Sequence, residues 1–171
     1  MDFSKPVQVG WYKLDKNAII PTKTTNNAGF DIYTIDTDVT IMPHERYLFS
    51  TGLAVAVSEG WWLKVEERGS TGTKGLARRC GIVDNNFRGQ IFICIQNDNN
   101  YPIRFTNKEE PGFHQDDFFE GTYFVYPISK ALAQMVLIPQ PEVNSYELTP
   151  EQWELVKDTD RGAGMLGSSG K

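Results

Sequence analysis

Residues 39–65 read VTIMPHERYLFSTGLAVAVSEGWWLKV, which is a series of short apolar runs separated by Pro43, Gly52 and the turn at 58–60. Short runs rich in β-branched and aromatic side chains, bounded by turn-forming residues, are typical of β-strands. The same pattern continues further along the chain, and the runs are Val39–Met42, Tyr47–Ser50, Leu53–Val57, Trp61–Val65, Ile91–Ile95 and Leu132–Ile138. Helical periodicity is nearly absent before residue 149. The sequence therefore predicts an all-β chain, folded as an antiparallel sandwich or barrel.

The C-terminal end has a different character. Thr149 can cap a helix, Pro150 suits the first helical position, and Glu151 complements the helix dipole, so one short helix is predicted there. The glycine-rich stretch that follows cannot bury a core and is expected to be a flexible arm. We therefore divide the chain into a β core over residues 1–148 and a helix with its arm over residues 149–171.

Composition excludes several classes of protein. The chain has 171 residues and a net charge of −5, which suits one domain and argues against sequence-blind binding to nucleic acid or to membrane surfaces. Its longest apolar runs are far shorter than the ~20 residues of a membrane-spanning helix, and its first residues lack the apolar stretch of a secretory signal. We therefore expect a cytoplasmic protein with free cysteines at positions 80 and 94.

Several local patterns are open to two readings. The cluster ERGSTGTKG at 67–75 suits either a phosphate group or a solvated turn, because it combines hydroxyls, backbone amides and two cations. In GIVDNNFRG at 81–89, Asp84 either activates a water or satisfies the backbone of a turn. Asp31, alone in the apolar run AGFDIYT, needs a structural partner or a polar site. The tail GAGMLG at 162–167 lacks the flanking strand and helix of a dinucleotide fold.

Taken in order, AGFDIYT, ERGSTGTKG, GIVDNNFRG, ALAQMVLIP and DRGAGMLGSSGK resemble the five motifs of the trimeric dUTP diphosphatases, or dUTPases. The resemblance spans residues 28–171. It implies a jelly-roll-like subunit of a homotrimer, with active sites at the subunit interfaces that the C-terminal arm closes. The implied reaction converts dUTP and water to dUMP and pyrophosphate with the help of Mg²⁺.

The resemblance also assigns roles to residues. Asp84 matches the catalytic aspartate that activates the attacking water at the α-phosphorus. The backbone around Gly81, Ile82 and Val83 belongs to the hairpin that cradles uracil, and Phe87 stands where the family usually has a Tyr packed on deoxyribose. Asp31 matches an aspartate that supports the metal through water, while Mg²⁺ itself is expected to sit mainly on the phosphates.

Other matches concern the phosphates and the arm. The residues implied to bind phosphates are Arg68, Gly69, Ser70, Gln134 and Arg161, and those implied to cover the nucleotide from the arm are Leu166, Gly167 and Ser168. Two departures stand out. The second motif places its hydroxyl one position later than usual, at Ser70, and Leu166 replaces the Phe that stacks on uracil.

Residues 107–121 read as an insertion relative to compact members of the family, expected to be a long loop or a small excursion. Two other functions on the same fold are considered. One is deamination of dCTP, which Asp84 disfavours because that class uses a glutamate in its hairpin. The other is a nucleotide-gated regulatory module, with residues 107–121 as the surface for a protein partner.

Overall fold

The computed structural model of the chain describes residues 6–116, 121–159 and 162. The chain forms two compact units, Met1–Gln140 and Pro141–Lys171. In the described part, neither helix has the length and apolar character needed to cross a bilayer.

The first unit consists almost entirely of strands. These are β1 Val9–Lys13, β2 Gly29–Ile32, β3 Val39–Ile41, β4 Arg46–Ser50, β5 Leu53–Val57, β6 Trp61–Glu67, β7 Leu76–Arg78, β8 Ile82–Val83, β9 Phe92–Asn97, β10 Ile103–Phe105, β11 Gly112–Asp116, β12 Gly121–Tyr126 and β13 Ala133–Pro139. A one-turn helix, α1 Gly69–Gly72, lies between β6 and β7, and helix α2 Pro150–Val156 is in the second unit. The all-β prediction is confirmed.

The strands form sheets of two to four members, with the orders β1-β5, β11-β12-β10-β3, β2-β13-β6-β8 and β4-β9-β7. Every sheet contributes to one apolar core. Its centre includes an aromatic chain in which Phe105 contacts Phe49 at 4.9 Å and Tyr126 at 5.4 Å between ring centroids. Strands scattered along the sequence are therefore held by one shared interior.

Strand β9 shows why these residues form a sheet. Ile93, Ile95 and Asn97 are buried on one face, whereas Phe92 on the other face is 41% exposed. This is the two-residue alternation of a strand with one face on the core. The run IFICI lacked clean alternation in the sequence because its outer face is also apolar.

The structure corrects two features of the predicted architecture and decides a third. Strands β10 and β12 pair in parallel, so the fold is not purely antiparallel. Helix α1 is a second helix that the sequence did not predict. Of the two forms expected for residues 107–121, a long loop or a small excursion, the structure favours the excursion. Strand β11 pairs there with β12, and Phe113 packs edge-to-face on Phe124, its cross-strand partner, at 5.1 Å.

Helix α2 agrees with its prediction. The Thr149 hydroxyl accepts from the Gln152 amide at 3.2 Å, and the Gln152 side chain accepts from the Thr149 amide at 2.9 Å. This reciprocal capping box, followed by Pro150 in the first turn, fixes where the helix begins.

One fully buried polar side chain, Asn97, ties the end of β9 to its neighbours. Its Nδ2 donates to the carbonyls of Ile41 and Tyr101 at 3.1 and 2.8 Å, and its Oδ1 accepts from the Asn99 amide at 3.0 Å. Without this side chain, the two carbonyls would lack a hydrogen-bond donor, which lowers the stability of the folded state.

We expect Asn97→Ala to lower the free energy of unfolding by about 2–3 kcal/mol, because it leaves buried acceptors unsatisfied. Urea unfolding measures the change. Asn17→Ala, at an exposed position, is the control and should stay within about 0.5 kcal/mol of the parent. Equal stabilities for the two variants would contradict the role given to Asn97.

Candidate functional site

The register of β13 brings three polar side chains into one row. Gln134 on β13 pairs with Asp31 on β2 and with Glu66 on β6. Residues directly opposite each other in adjacent strands project from the same face of a sheet. Two of the five sequence motifs therefore meet across a strand boundary, although more than a hundred positions separate them in the chain.

A third motif joins them through Arg68, the residue that opens α1. Its Nε lies 3.0 Å from Oδ1 of Asp31, and its Nη2 donates to Oδ2 at 3.4 Å. Its Nη1 donates to the Ala131 carbonyl at 3.2 Å and to the Ser70 hydroxyl at 3.4 Å. These contacts use most of the N–H groups of the guanidinium and hold the α1 turn against β2 and the Ala131 carbonyl.

The α1 turn is held from inside by Thr71, whose side chain is buried. The Thr71 hydroxyl donates to the Arg68 carbonyl at 2.9 Å and lies 3.1 Å from the Arg68 amide, which donates to it. The amides of Gly69 and Ser70 belong to the first turn, where a helix leaves N–H groups without internal partners. These two amides and the exposed Ser70 hydroxyl are suited to oxygen atoms of an anion.

Gly29 allows Gln134 to take its position. A Cβ on Gly29 would lie 3.2 Å from both Cβ and Oε1 of Gln134 and 3.0 Å from the Met135 carbonyl oxygen. The Gln134 Nε2 donates to the Glu67 carbonyl at 2.8 Å. This leaves Oε1 and a second amide hydrogen, so Gln134 can both accept from a water and donate to an anion.

Together these residues line a cleft of about 480 Å³. The lining is polar, and it consists of Asn26, Asn27, Ala28, Gly29, Asp31, Arg68, Gly69, Ser70 and Gln134. Asn26 and Asn27 were missed as part of the site. The only signal for them was their position directly before the first motif, because asparagines at such a place are typical of any turn.

The acidic side chain of Glu66 on β6 lies next to Gln134 in the strand register and has two cationic partners. Lys64 and Arg78 both form ion pairs with Glu66. The hydrogen bond from Lys64 is the main reason that the pKa of Glu66 is lowered, and Arg78 adds to it. The carboxylate next to Gln134 is therefore neutralised by its own neighbours, which limits its repulsion of an incoming anion.

The structure does not bring Asp84 into this cleft. Val83 pairs with Leu63, whereas Gln134 pairs with Glu66, three residues further along β6. At strand spacing this separates the two registers by about 10 Å along the strand. Because β8 is antiparallel to β6, the chain beyond Val83 runs away from Glu66, and Asp84 is exposed there.

Residues 81–89 do not form the paired hairpin that the sequence predicted, because β8 pairs with β6 whereas β9 pairs with β4 and β7. The turn that carries Asp84, called the Asp84 hairpin here, is nevertheless well anchored. The Asn85 side-chain amide donates to the carbonyls of Trp61 and Ser58 at 2.8 and 3.0 Å. The Phe87 amide donates to the Asp84 carbonyl at 3.1 Å and closes the turn, and Arg88 Nη1 donates to the Asn85 carbonyl at 2.5 Å. Phe87 and Ile82 are exposed at 43% and 71%, so a rigid turn presents a carboxylate and two apolar side chains to solvent.

The predicted site residues therefore fall into three groups. The structure gathers Asp31, Arg68, Gly69, Ser70 and Gln134 in the cleft, and it places Gly81, Ile82, Val83, Asp84 and Phe87 on the separate hairpin. Arg161, Leu166, Gly167 and Ser168 lie outside the described residues.

The polar residues of the cleft suit a metal ion that is bound mainly by phosphate groups and water. Within residues 6–116, 121–159 and 162, no three His, Cys, Asp or Glu side chains lie together as a metal-binding group. Asp31 offers the only carboxylate lining the described cleft, and its oxygens retain lone pairs for water besides those that face Arg68. Mg²⁺ keeps several waters and binds through few carboxylates plus phosphates, so these residues are compatible with it.

Comparisons with known proteins agree with this arrangement. The family model described as dUTPase matches residues 15–110. The deoxyuridine 5'-triphosphate nucleotidohydrolase of Nautilia profundicola is 31% identical over 168 residues, covering 93% of this chain and 96% of that protein. The jelly-roll fold is likewise that of solved dUTPases.

Two phage structures give the likeness in three dimensions. The dUTPase of Staphylococcus bacteriophage 80alpha with dUPNHPP is 25% identical, with a TM-score of 0.69 and coverage of 96% of this chain and 99% of that one. A point mutant of the dUTPase from phage phi11 of S. aureus, which reveals the coordination of a structural Mg(II) ion, is also 25% identical, with a TM-score of 0.62 and coverage of 84% and 98%. Because the dUTPase model matches more than half of the chain and a relative of 31% identity is matched over nearly its whole length, the chain belongs to the dUTPase family.

Proposed function

We propose that this dUTP-hydrolysing enzyme builds each active site from at least two copies of the chain, one giving the cleft and another giving the Asp84 hairpin. The observation that carries this proposal is the separation of Asp84 from Asp31, Arg68, Ser70 and Gln134 within one chain. A catalytic base must reach the water that it activates, and a rigid anchored hairpin cannot fold back across β6.

The proposed assembly is the homotrimer implied by the family. The outer face of the β4–β9 pair supports an association between copies, since Leu48 is 51% exposed and Phe92 is 41% exposed. Exposed apolar side chains grouped on a rigid sheet are typical of surfaces buried on assembly. In a closed ring, each hairpin faces the cleft of the next subunit.

In the proposed mechanism, the cleft binds the triphosphate through the amides of Gly69 and Ser70, the Ser70 hydroxyl and Gln134. The carboxylate of Asp84 accepts a proton from a water, and the oxygen of that water attacks the α-phosphorus, which releases dUMP and pyrophosphate. Mg²⁺ would be held by the phosphates and, through water, by Asp31, and it would supply positive charge to the phosphate oxygens.

The remaining parts of the proposal concern selectivity and closure. The backbone of 82–88 would hydrogen-bond the uracil edge, and Phe87 would pack on deoxyribose so that a 2′-hydroxyl has no room. Residues 149–171, including Arg161 and Leu166, would close over the bound nucleotide. A cytoplasmic location and a protein partner for residues 107–121 are also proposed, on the sequence alone.

The direct test is release of pyrophosphate from dUTP, dCTP, dTTP and UTP with Mg²⁺. We expect turnover of dUTP only, and we expect Asp84→Asn to lower kcat by about 10²–10⁴-fold, since it removes the base. Asp98→Asn, at an exposed carboxylate paired with Arg79, is the control and should leave kcat within about twofold. Ammonia release from dCTP, or an Asp84→Asn variant with full kcat, would contradict the proposal.

A second test moves the Gln134 side chain by changing its neighbour Gly29 and leaves residue 134 itself as Gln. Gly29→Ala is expected to lower kcat/KM by about tenfold, because the new methyl group displaces the Gln134 amide. Gly10→Ala is the matched control, since a Cβ there would meet nothing closer than the Ala56 carbonyl at 3.9 Å. If both variants keep the parent kcat/KM, the placement of Gln134 in the site is wrong.

A further inference from the structure

A buried tyrosine hydroxyl lies beneath the phosphate side of the cleft. Tyr126 is 1% exposed at the end of β12, and its hydroxyl donates to the Ala131 carbonyl at 3.1 Å. The ring packs on Phe105, its partner in the parallel β10–β12 pair, so the core fixes the phenol in place. None of the sequence motifs includes Tyr126.

The Ala131 carbonyl is shared with Arg68. Its oxygen accepts from Tyr126 at 3.1 Å and from Arg68 Nη1 at 3.2 Å. The same Nη1 also donates to the Ser70 hydroxyl at 3.4 Å. A continuous chain of hydrogen bonds therefore runs from the rigid core, through one carbonyl and one guanidinium, to the side chain that faces the cleft.

The groups that affect the pKa of Tyr126 include both Ser70 and Arg68, which agrees with a hydrogen-bonded link between the phenol and the α1 turn. Burial raises the pKa of Tyr126, while a hydrogen-bonding contact with Ser70 and the nearby Arg68 guanidinium oppose that rise. The hydroxyl therefore stays protonated near neutral pH and acts as a donor. Ser70 and Arg68 belong to the α1 turn, and the Asp31 carboxylate, which is paired with Arg68, adds to the rise of this pKa.

We propose that Tyr126 is a positioning residue for phosphate binding: its hydroxyl orients the Ala131 carbonyl, and through it Arg68 and Ser70. The inference rests on the proposed role of the Arg68–Ser70 turn in holding the triphosphate. Loss of the hydroxyl frees the carbonyl to move and lets Arg68 relax toward Asp31, so the Ser70 hydroxyl loses its fixed orientation. Hydrogen-bonded networks of this kind act as a unit.

The test is Tyr126→Phe in the full chain, which keeps the ring and its packing. We expect KM for dUTP and the inhibition constant of inorganic pyrophosphate to rise about fivefold, the equivalent of one hydrogen bond. The inhibition constant of deoxyuridine, which has no phosphate, should change by less than about twofold. Tyr123 lies on the same strand as Tyr126, and its hydroxyl donates to Glu109. Tyr123→Phe is therefore the matched control and should leave all three constants unchanged.

A second variant, Ser70→Ala, separates failure of this inference from failure of the proposed site. If Ser70→Ala leaves pyrophosphate inhibition unchanged, the phosphate role of the turn is wrong. If Ser70→Ala weakens pyrophosphate binding and Tyr126→Phe does not, Tyr126 has no positioning role. Equal weakening of pyrophosphate and deoxyuridine by Tyr126→Phe would make the effect one of general stability, which also overturns the inference.

Discussion

The antiparallel register of β13 with β2 and β6 is the constraint on which the cleft depends. It fixes Gln134 opposite both Asp31 and Glu66, and it places Arg68, two residues beyond Glu66, within reach of the Asp31 carboxylate. A slip of one residue would turn Gln134 to the other face of the sheet. The ion pair, the α1 turn and the cleft would then be lost together, so site geometry and sheet pairing are one property of this fold.

Two small residues, Gly29 and Thr71, adjust the positions of the functional side chains. Gly29 leaves the space that Gln134 occupies, and Thr71 bonds both backbone groups of Arg68. The displaced hydroxyl of the second motif is accommodated in the same way, because Ser70 reaches the cleft from an exposed position on a well-held turn. Small residues at these positions thus decide where the functional side chains lie.

Short apolar runs were sufficient to predict six of the thirteen strands in the described part of the chain. Five of the residues that the motifs singled out line one cleft, whereas the motifs gave no sign of how the other strands pair. Strand β11 was missed because its stability comes from pairing with β12, through Phe113 on Phe124, while its own residues favour turns. Tyr126, Asn26 and Asn27 were missed for a related reason. Their importance depends on contacts with residues distant in the chain, and the local sequence carries no sign of those contacts.

The central claim is that cleft and hairpin act together only across copies of the chain, and subunit mixing tests it most directly. One variant carries Asp84→Asn, and the other carries Ser70→Ala together with Gln134→Ala; each alone should be inactive on dUTP. After the two are unfolded together and refolded at equal amounts, random assembly should restore an intact cleft facing an intact hairpin in about a quarter of the sites. Recovery of about a quarter of the parent activity is the predicted result. Mixtures that form trimers and stay inactive would contradict the account, because both halves of the site would then have to come from one chain.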